Sequence, residues 1–147
     1  MKKHIITISP STRSQLGEVL LHISDDVLLS INNILKKYYI TESKFALLLL
    51  LFNTSTNQSL QPSEIANIMG IRRASVTKQL IWLEKHQLII RNICPKDKRM
   101  VNVTITKKGH QLLKLVLPGY WQTCADFTEK LTDAEVVRLL HLLIKID

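Results

Sequence analysis

Residues 60–109 decide the fold, and they read LQPSEIANIMGIRRASVTKQLIWLEKHQLIIRNICPKDKRMVNVTITKKG. Pro62 suits the first position of a helix, and Gly70 suits the residue that follows a helix's last turn. A second helix is predicted to start at Arg72 or Arg73, directly after a short turn, and to end near His86. Two short helices joined by a tight turn with glycine are typical of a helix-turn-helix.

A β-hairpin is predicted directly after these two helices. Residues 88–93 are β-like, and residues 101–105 alternate apolar and polar positions. The loop between them, residues 94–99, contains Pro95 and three basic residues. The sequence therefore predicts a mainly α protein with a small two-stranded β wing after its helix-turn-helix.

Long amphipathic helices are predicted on both sides of this segment. Over residues 14–38 the apolar positions recur at steps of three and four, which gives a helix too long for a compact three-helix core to cover. We therefore expect part of it to pack on another chain. A further helix is predicted over residues 107–130 with a kink or a break near Pro118 and Gly119. A last helix follows the capping box of Thr132 and Glu135.

Composition excludes several classes of protein. The chain has 147 residues, with only four glycines and four prolines, so collagen-like and low-complexity chains are excluded. The longest apolar run, residues 45–52, is too short to cross a bilayer, and residues 1–10 lack the apolar stretch of a signal peptide. We therefore expect a cytoplasmic protein without a membrane partner. The sequence shows no phosphate loop or catalytic triad, so an enzyme is not expected.

The excess of positive charge is concentrated in one third of the chain. Residues 61–110 hold ten Lys and Arg residues and three acidic ones, a net charge of +7, while the whole chain carries +8. A concentrated basic surface indicates a polyanionic partner, either nucleic acid or an acidic membrane face.

The second helix of the helix-turn-helix carries the first set of candidate DNA contacts. Its outer face presents Arg72, Arg73, Ser75, Thr77 and Lys78. Such a helix fits the major groove, where hydroxyl groups and Arg reach base edges or phosphates. The alternative is a solvated helix whose charges only aid solubility.

The wing carries the second set of candidate DNA contacts, Lys96, Asp97, Lys98 and Arg99. A basic hairpin tip can enter the narrow, negative minor groove, and Arg99 is the best candidate for that contact. Asp97 would repel phosphate, so we expect it to orient a neighbouring Arg by a charge-assisted hydrogen bond. The alternative is an ordinary surface hairpin.

Residues 60–109 resemble the winged helix-turn-helix of MarR-type (multiple antibiotic resistance) transcriptional regulators. The segments that match are Leu60-x-Pro62-Ser63-Glu64-Ile65-Ala66, Arg73-Ala74-Ser75-Val76-Thr77, Leu83-Glu84-Lys85, Asp97-Lys98-Arg99 and Val103-x-Ile105-Thr106-x-x-Gly109. The resemblance implies an obligate homodimer with interleaved terminal helices, which binds double-stranded DNA. It favours a ligand-responsive repressor on a pseudo-palindromic operator. The alternative is a winged-helix module that binds a protein partner without specific DNA binding.

The resemblance also implies a division of the chain and a place for an effector. Residues 1–40 would form an arm and dimerisation helix, residues 41–109 the DNA-binding part, and residues 110–147 the C-terminal dimerisation helices. The family often binds small phenolic or other aromatic anions between its long helices and its DNA-binding part. The candidate pocket residues here are Tyr38, Phe45, Phe52, Tyr120 and Trp121. Plain core or dimer packing is an equally open interpretation for each of them.

Three positions depart from the family pattern. Gln87 stands where a glycine usually ends the recognition helix, so a non-glycine residue is expected in the left-handed region. Ile81 and Trp82 stand where polar residues are usual, which predicts exposed apolar surface or an unusual contact.

No cofactor or metal is expected from the sequence. The five His residues show no pair with metal-ligand spacing, and the two cysteines, Cys94 and Cys124, form no disulfide framework. Cys94 lies next to basic residues that favour the thiolate, so redox sensing stays open beside a passive role.

Overall fold

The computed structural model describes residues 11–54, 59–93 and 101–146. Within these ranges the chain forms six α-helices, one short 3-10 helix and one two-stranded antiparallel sheet. In chain order the elements are α1 (Thr12–Leu35), the 3-10 helix (Lys36–Tyr38), α2 (Glu42–Asn53), α3 (Pro62–Met69), α4 (Arg73–Lys85), β1 (Ile89–Ile93), β2 (Val101–Ile105), α5 (Lys107–Asp126) and α6 (Asp133–Ile144). The prediction of a mainly α fold with a two-stranded hairpin after a helix-turn-helix is confirmed.

The described chain divides into two compact units. Residues 35–118 form the first, which we call the lobe, and residues 11–34 and 119–146 belong to the second, which we call the terminal unit. The boundaries fall inside α1 and α5, so each of these helices contributes residues to both units.

The lobe contains a continuous apolar core. All but one of the buried apolar side chains in the described chain belong to it. Phe45, Leu47 and Leu48 of α2 are fully buried, and Ile65 of α3 and Leu80 of α4 are buried with them. The continuous apolar run of α2 is explained by this burial, because a helix covered on most sides has no polar face.

The terminal unit has almost no core of its own. Ile31 is its one buried apolar residue among those described, and no described residue of α6 is buried. The large apolar side chains exposed in this unit are Leu16, Val19, Leu21, Leu28, Leu29, Trp121, Phe127, Leu131, Val137, Leu140, Leu142, Ile144 and Ile146. Such a stripe fits the expectation that these helices carry more apolar surface than one chain covers.

The capping signals read from the sequence are confirmed. Pro62 is the first residue of α3, and Gly70 ends that helix with a φ of 63°. At α6 the Thr132 amide donates to Glu135 Oε2 at 2.9 Å, and the Glu135 amide donates to Thr132 Oγ1 at 3.4 Å. Hydrogen bonds from the backbone amide and the hydroxyl of Thr132 lower the pKa of Glu135.

Of the kink or break predicted near Pro118 and Gly119, the break is wrong. α5 continues through Pro118 and ends at Asp126, before the expected end near Lys130. Proline removes the amide that would bond the carbonyl of Lys114. Both Lys114 and Pro118 lie on the exposed side of the helix, where water can satisfy that carbonyl. The first helix differs slightly as well, because its last three residues form the 3-10 helix.

The two strands pair in one register and are tied to the chain that enters the helix-turn-helix. Ile89 pairs with Ile105, and Arg91 pairs with Val103. The Val103 amide donates to the Leu60 carbonyl at 2.9 Å, directly before α3 begins. Val103 is buried, so the base of the hairpin belongs to the core of the lobe.

Candidate nucleic-acid interface

The turn between α3 and α4 sets the angle of the second helix. Gly70 takes the left-handed conformation that glycine adopts without strain, and the Ile71 amide then donates to the Ala66 carbonyl at 3.1 Å. Ala66 of α3 and Val76 of α4 are buried. The small side chain of Ala66 permits a close approach.

The five residues predicted as DNA contacts lie together on the exposed side of this second helix. Arg72, Arg73, Ser75, Thr77 and Lys78 are all exposed. The first turn of α4 contains no acidic residue. Its free amides and two guanidinium groups therefore present positive charge together, which is the arrangement that attracts phosphate to a helix N-terminus.

An ion pair joins the end of α4 to the first strand, and the sequence analysis missed it. Arg91 Nε donates to Glu84 Oε2 at 2.8 Å, and Arg91 Nη2 contacts the same oxygen. The hydrogen bond from Arg91 lowers the pKa of Glu84. Arg91 contributes to the basic excess of the sequence, but its charge is compensated by Glu84.

The C-terminal end of α4 is fixed to the start of α5. Gln87 has a φ of 61°, the left-handed conformation predicted for it. The Thr106 hydroxyl donates to the Gln87 carbonyl at 2.7 Å, and Lys108 Nζ donates to the His86 carbonyl at 2.9 Å. A Cβ on Gly109 would lie 2.4 Å from the carbonyl oxygen of Leu88, so only glycine fits there.

The two unusual residues of α4 have different environments. Trp82 is half-buried and stacks on His86, with their ring centroids 3.7 Å apart, and Lys44 Nζ lies 4.8 Å from the Trp82 ring centroid. This unusual contact explains Trp82. Ile81 is 52% exposed. It therefore provides the exposed apolar surface that the sequence predicted as the alternative to an unusual contact.

The wing tip falls outside the described residues. Lys96, Asp97, Lys98 and Arg99 belong to it, and so does Cys94. Their roles as DNA contacts, and the redox alternative for Cys94, stay predictions.

The five candidate pocket residues are divided between the two units. In the lobe, Phe45 is only 1% exposed, whereas Tyr38 and Phe52 are half-buried. Phe52 meets His110 edge to face, with ring centroids 5.4 Å apart. In the terminal unit, Tyr120 is half-buried and Trp121 is exposed.

Each unit also contains an open groove, and none of these five residues lines either one. The groove in the lobe has a volume of about 540 Å³ and is lined by Glu42, Ser43, Ala46, Leu50, Ile68, Met69, Ile71, Ser75 and Gln79. Gln79 Oε1 is buried there without a hydrogen-bond partner among the described residues. The groove in the terminal unit has a volume of about 720 Å³ and lies between α1 and residues 123–130.

Three further observations on the described residues concern metal binding, thiol reactivity and membrane spans. Within residues 11–54, 59–93 and 101–146, no three His, Cys, Asp or Glu side chains are grouped so that they could hold a metal ion. Burial raises the pKa of the Cys124 thiol, which disfavours the reactive thiolate. None of the described helices combines the length and the apolar character needed to span a membrane.

Comparison with known proteins identifies the family. Residues 40–101 match the model of the MarR family. The transcriptional repressor MprA of Escherichia coli (strain K12) is 34% identical over 103 residues, which cover 70% of this chain. The chain belongs to the MarR family. The matched segment spans 58% of MprA, less than two thirds of its length. The MarR-family chain is also 27% identical to the HTH-type transcriptional repressor YetL of Bacillus subtilis (strain 168) over 114 residues, 75% of this chain and 68% of YetL.

Solved structures of MarR-type proteins share the fold. The structure of the MepR–DNA complex of S. aureus matches this MarR-family chain with a TM-score of 0.80 at 21% identity, covering 88% of this chain and 94% of MepR. BpsR of Bordetella bronchiseptica, whose DNA binding is regulated by 6-hydroxynicotinic acid, matches with a TM-score of 0.79 at 22% identity, covering 94% and 96%. These likenesses confirm the winged-helix fold.

Proposed function

We propose that this chain is a sequence-specific DNA-binding transcriptional regulator that acts as a ligand-responsive homodimeric repressor. The observation that carries the proposal is the outer face of α4, where two Arg, one Lys and two hydroxyl residues are exposed beside a helix N-terminus without acidic residues. The relatives MprA and YetL are named as repressors rather than enzymes, and MepR was solved in complex with DNA. A regulator that acts on genomic DNA would work in the cytoplasm.

The contacts divide between the two grooves of DNA. Arg72 and Lys78 contact phosphates, and Arg73, Ser75 and Thr77 face base edges in the major groove. In the wing, Lys96, Lys98 and Arg99 contact the adjacent minor groove or its phosphates, and Asp97 orients an Arg. Helix and wing together would then hold one half-site.

The terminal unit supplies the proposed dimer interface. Exposed Leu, Val and Ile side chains along α1 and α6 leave a large apolar surface that water does not solvate well. A second copy of the chain buries this surface if residues 1–40 and 110–147 of both copies pair. Two recognition helices about one helical turn apart then match a pseudo-palindromic operator.

A small aromatic or phenolic molecule is the proposed effector, and no cofactor is needed. BpsR supports this idea because a small aromatic acid regulates its DNA binding. The candidate contacts are the residues named from the sequence, Tyr38, Phe45, Phe52, Tyr120 and Trp121.

The proposal is tested by measuring binding to the DNA upstream of the chain's own gene and to random DNA of equal length. We expect specific binding by the wild type, and a loss of about 1–3 kcal/mol per half-site for Arg73→Ala if Arg73 reaches a base edge. Lys114→Ala is the control for the loss of one positive charge, because Lys114 is exposed on α5 outside the helix-turn-helix, and sedimentation checks that this variant keeps the dimer. Equal affinity of the wild type for both DNAs would instead support the protein-interaction module.

A further inference from the structure

The outer face of α4 carries an apolar stripe between its charged residues. Ala74, Thr77 and Ile81 follow one another at steps of three and four, so they lie on one line along the helix. All three are exposed, and Ile81 is 52% exposed. The Thr77 hydroxyl donates to the Arg73 carbonyl at 3.0 Å, so its proton is not available to a ligand.

The core of the lobe does not use this stripe. The buried residues of α4 are Val76, Leu80 and Leu83, which lie on the opposite side of the helix. An exposed isoleucine also contributes less to helix propensity than a straight-chain polar residue would. Ile81 therefore has no packing role within the lobe that explains its side chain.

Charge indicates what covers this stripe. Arg73, Lys78 and Lys85 are exposed along the same helix, and the one acidic residue of α4, Glu84, is paired with Arg91. An apolar line bordered by cations is complementary to a polyanion that also offers an apolar group. Duplex DNA is such a partner, because the C5-methyl of thymine lies in the major groove.

We propose that Ile81 is a specificity-determining residue that contacts a thymine C5-methyl group, with the Thr77 methyl contributing to the same contact. The inference rests on the proposed DNA-binding function and adds the base that the middle of α4 selects. Ile81 lies eight positions after Arg73, or about 12 Å along the helix. With α4 running along the groove, its thymine would be about three to four base pairs from the base that Arg73 reaches, at about 3.4 Å per base pair.

The experiment uses the full-length chain and duplexes recovered by selection from a randomised DNA pool. Each thymine position of the bound duplex is replaced by deoxyuridine, which lacks only the methyl group. One position is changed at a time, first in one half-site and then in both. We expect one thymine per half-site to matter, with about a fourfold loss per methyl and about a fifteenfold loss for both half-sites.

Two variants and a control assign this effect to the stripe. Ile81→Ala is expected to abolish most of the difference between thymine and deoxyuridine. Thr77→Ser keeps the hydroxyl, removes the methyl and should lose the smaller remaining part. Ile90→Ala is the control, because Ile90 is 50% exposed on β1, outside the recognition helix, and this variant should keep the full difference.

The outcomes separate the inference from the function on which it rests. Specific binding with equal affinity for thymine and deoxyuridine duplexes overturns the role of Ile81 and leaves the regulator intact. The same holds if Ile81→Ala keeps the wild-type difference. A selection that enriches no sequence overturns the proposed function, and the inference with it.

Discussion

The lobe and the terminal unit differ in how they bury apolar side chains. The lobe encloses nearly all of the core in the described chain, from Leu35 at the end of α1 to Leu117 in α5. The terminal unit has helices of ordinary amphipathic pattern, yet among its described residues it buries only Ile31 and exposes thirteen large apolar residues. Burial of apolar side chains offsets the entropy of ordering a chain, and among the described residues this burial lies almost entirely in the lobe.

The largest effect is expected from a double variant in the terminal unit that weakens association of the two chains and leaves the lobe intact. Leu140 and Ile144 are exposed in the single chain, so changing both to Asp should not disturb its core. In the proposed dimer the same change buries unpaired carboxylates, which should weaken association at least about 100-fold. Sedimentation velocity at micromolar concentration measures this loss, and melting of the wild type should depend on concentration.

The control for this double variant is Arg138→Asp, which lies on the polar side of α6. It should stay dimeric. A double variant that sediments as the wild type does would show that α6 is not buried between subunits. Dimer formation would then not explain why the terminal unit exposes so many apolar residues.

Substitution of one glycine in each unit tests the difference in packing between the units, and the expected effects are of intermediate size. In the lobe, Gly109→Ala forces a Cβ to within 2.4 Å of the Leu88 carbonyl oxygen, so we expect a loss of about 1–3 kcal/mol in the free energy of unfolding. In the terminal unit, the Cβ of Gly17→Ala meets no described atom within 4 Å, so we expect a gain of about 0.5–1 kcal/mol. Urea unfolding of both variants measures the two signs, and a shift in the same direction for both would contradict the difference in packing.

The smallest effect concerns the polar edge of the lobe. The pair of Glu84 and Arg91 is partly exposed, so Glu84→Gln should cost only about 0.5 kcal/mol at pH 7. Because Arg91 lowers the pKa of Glu84, this contribution is present above the ordinary carboxyl pKa of 4.5 and is lost as the pH falls through the lower folded-state value.

Unfolding measured at pH 7 and below pH 4 checks this sign. The stability difference between the wild type and Glu84→Gln should shrink at the lower pH. A double-mutant cycle with Arg91→Gln isolates the pair, and a coupling energy of several kcal/mol would show that the lobe depends on this ion pair as well as on its core.

The sequence predicted the elements whose signals are local. Pro62, Gly70 and the capping pair of Thr132 and Glu135 act through neighbouring backbone groups, so their positions could be read directly. The left-handed Gln87 was predicted as well, because the family pattern has glycine at that position.

The features that the sequence did not predict depend on tertiary contacts or on exposure. The bond from Lys108 to the His86 carbonyl joins residues far apart in the chain, and no periodic pattern marks it. The continuity of α5 through Pro118 depends on which side of the helix faces solvent. The candidate DNA contacts on α4 could be placed because the opposite face is apolar, but which bases they read is not encoded in that periodicity.

The hydrogen bond between the Val103 amide and the Leu60 carbonyl has a consequence for the order of folding. Both helices of the helix-turn-helix and all of β1 lie between these two residues. Helices form from local contacts in microseconds, but closing this loop needs a distant partner and costs chain entropy first. During synthesis the recognition helix can therefore form early, yet it reaches its final position only after Val103 and Gly109 have left the ribosome. A chain truncated before those residues would contain all of α4 and still lack a folded lobe.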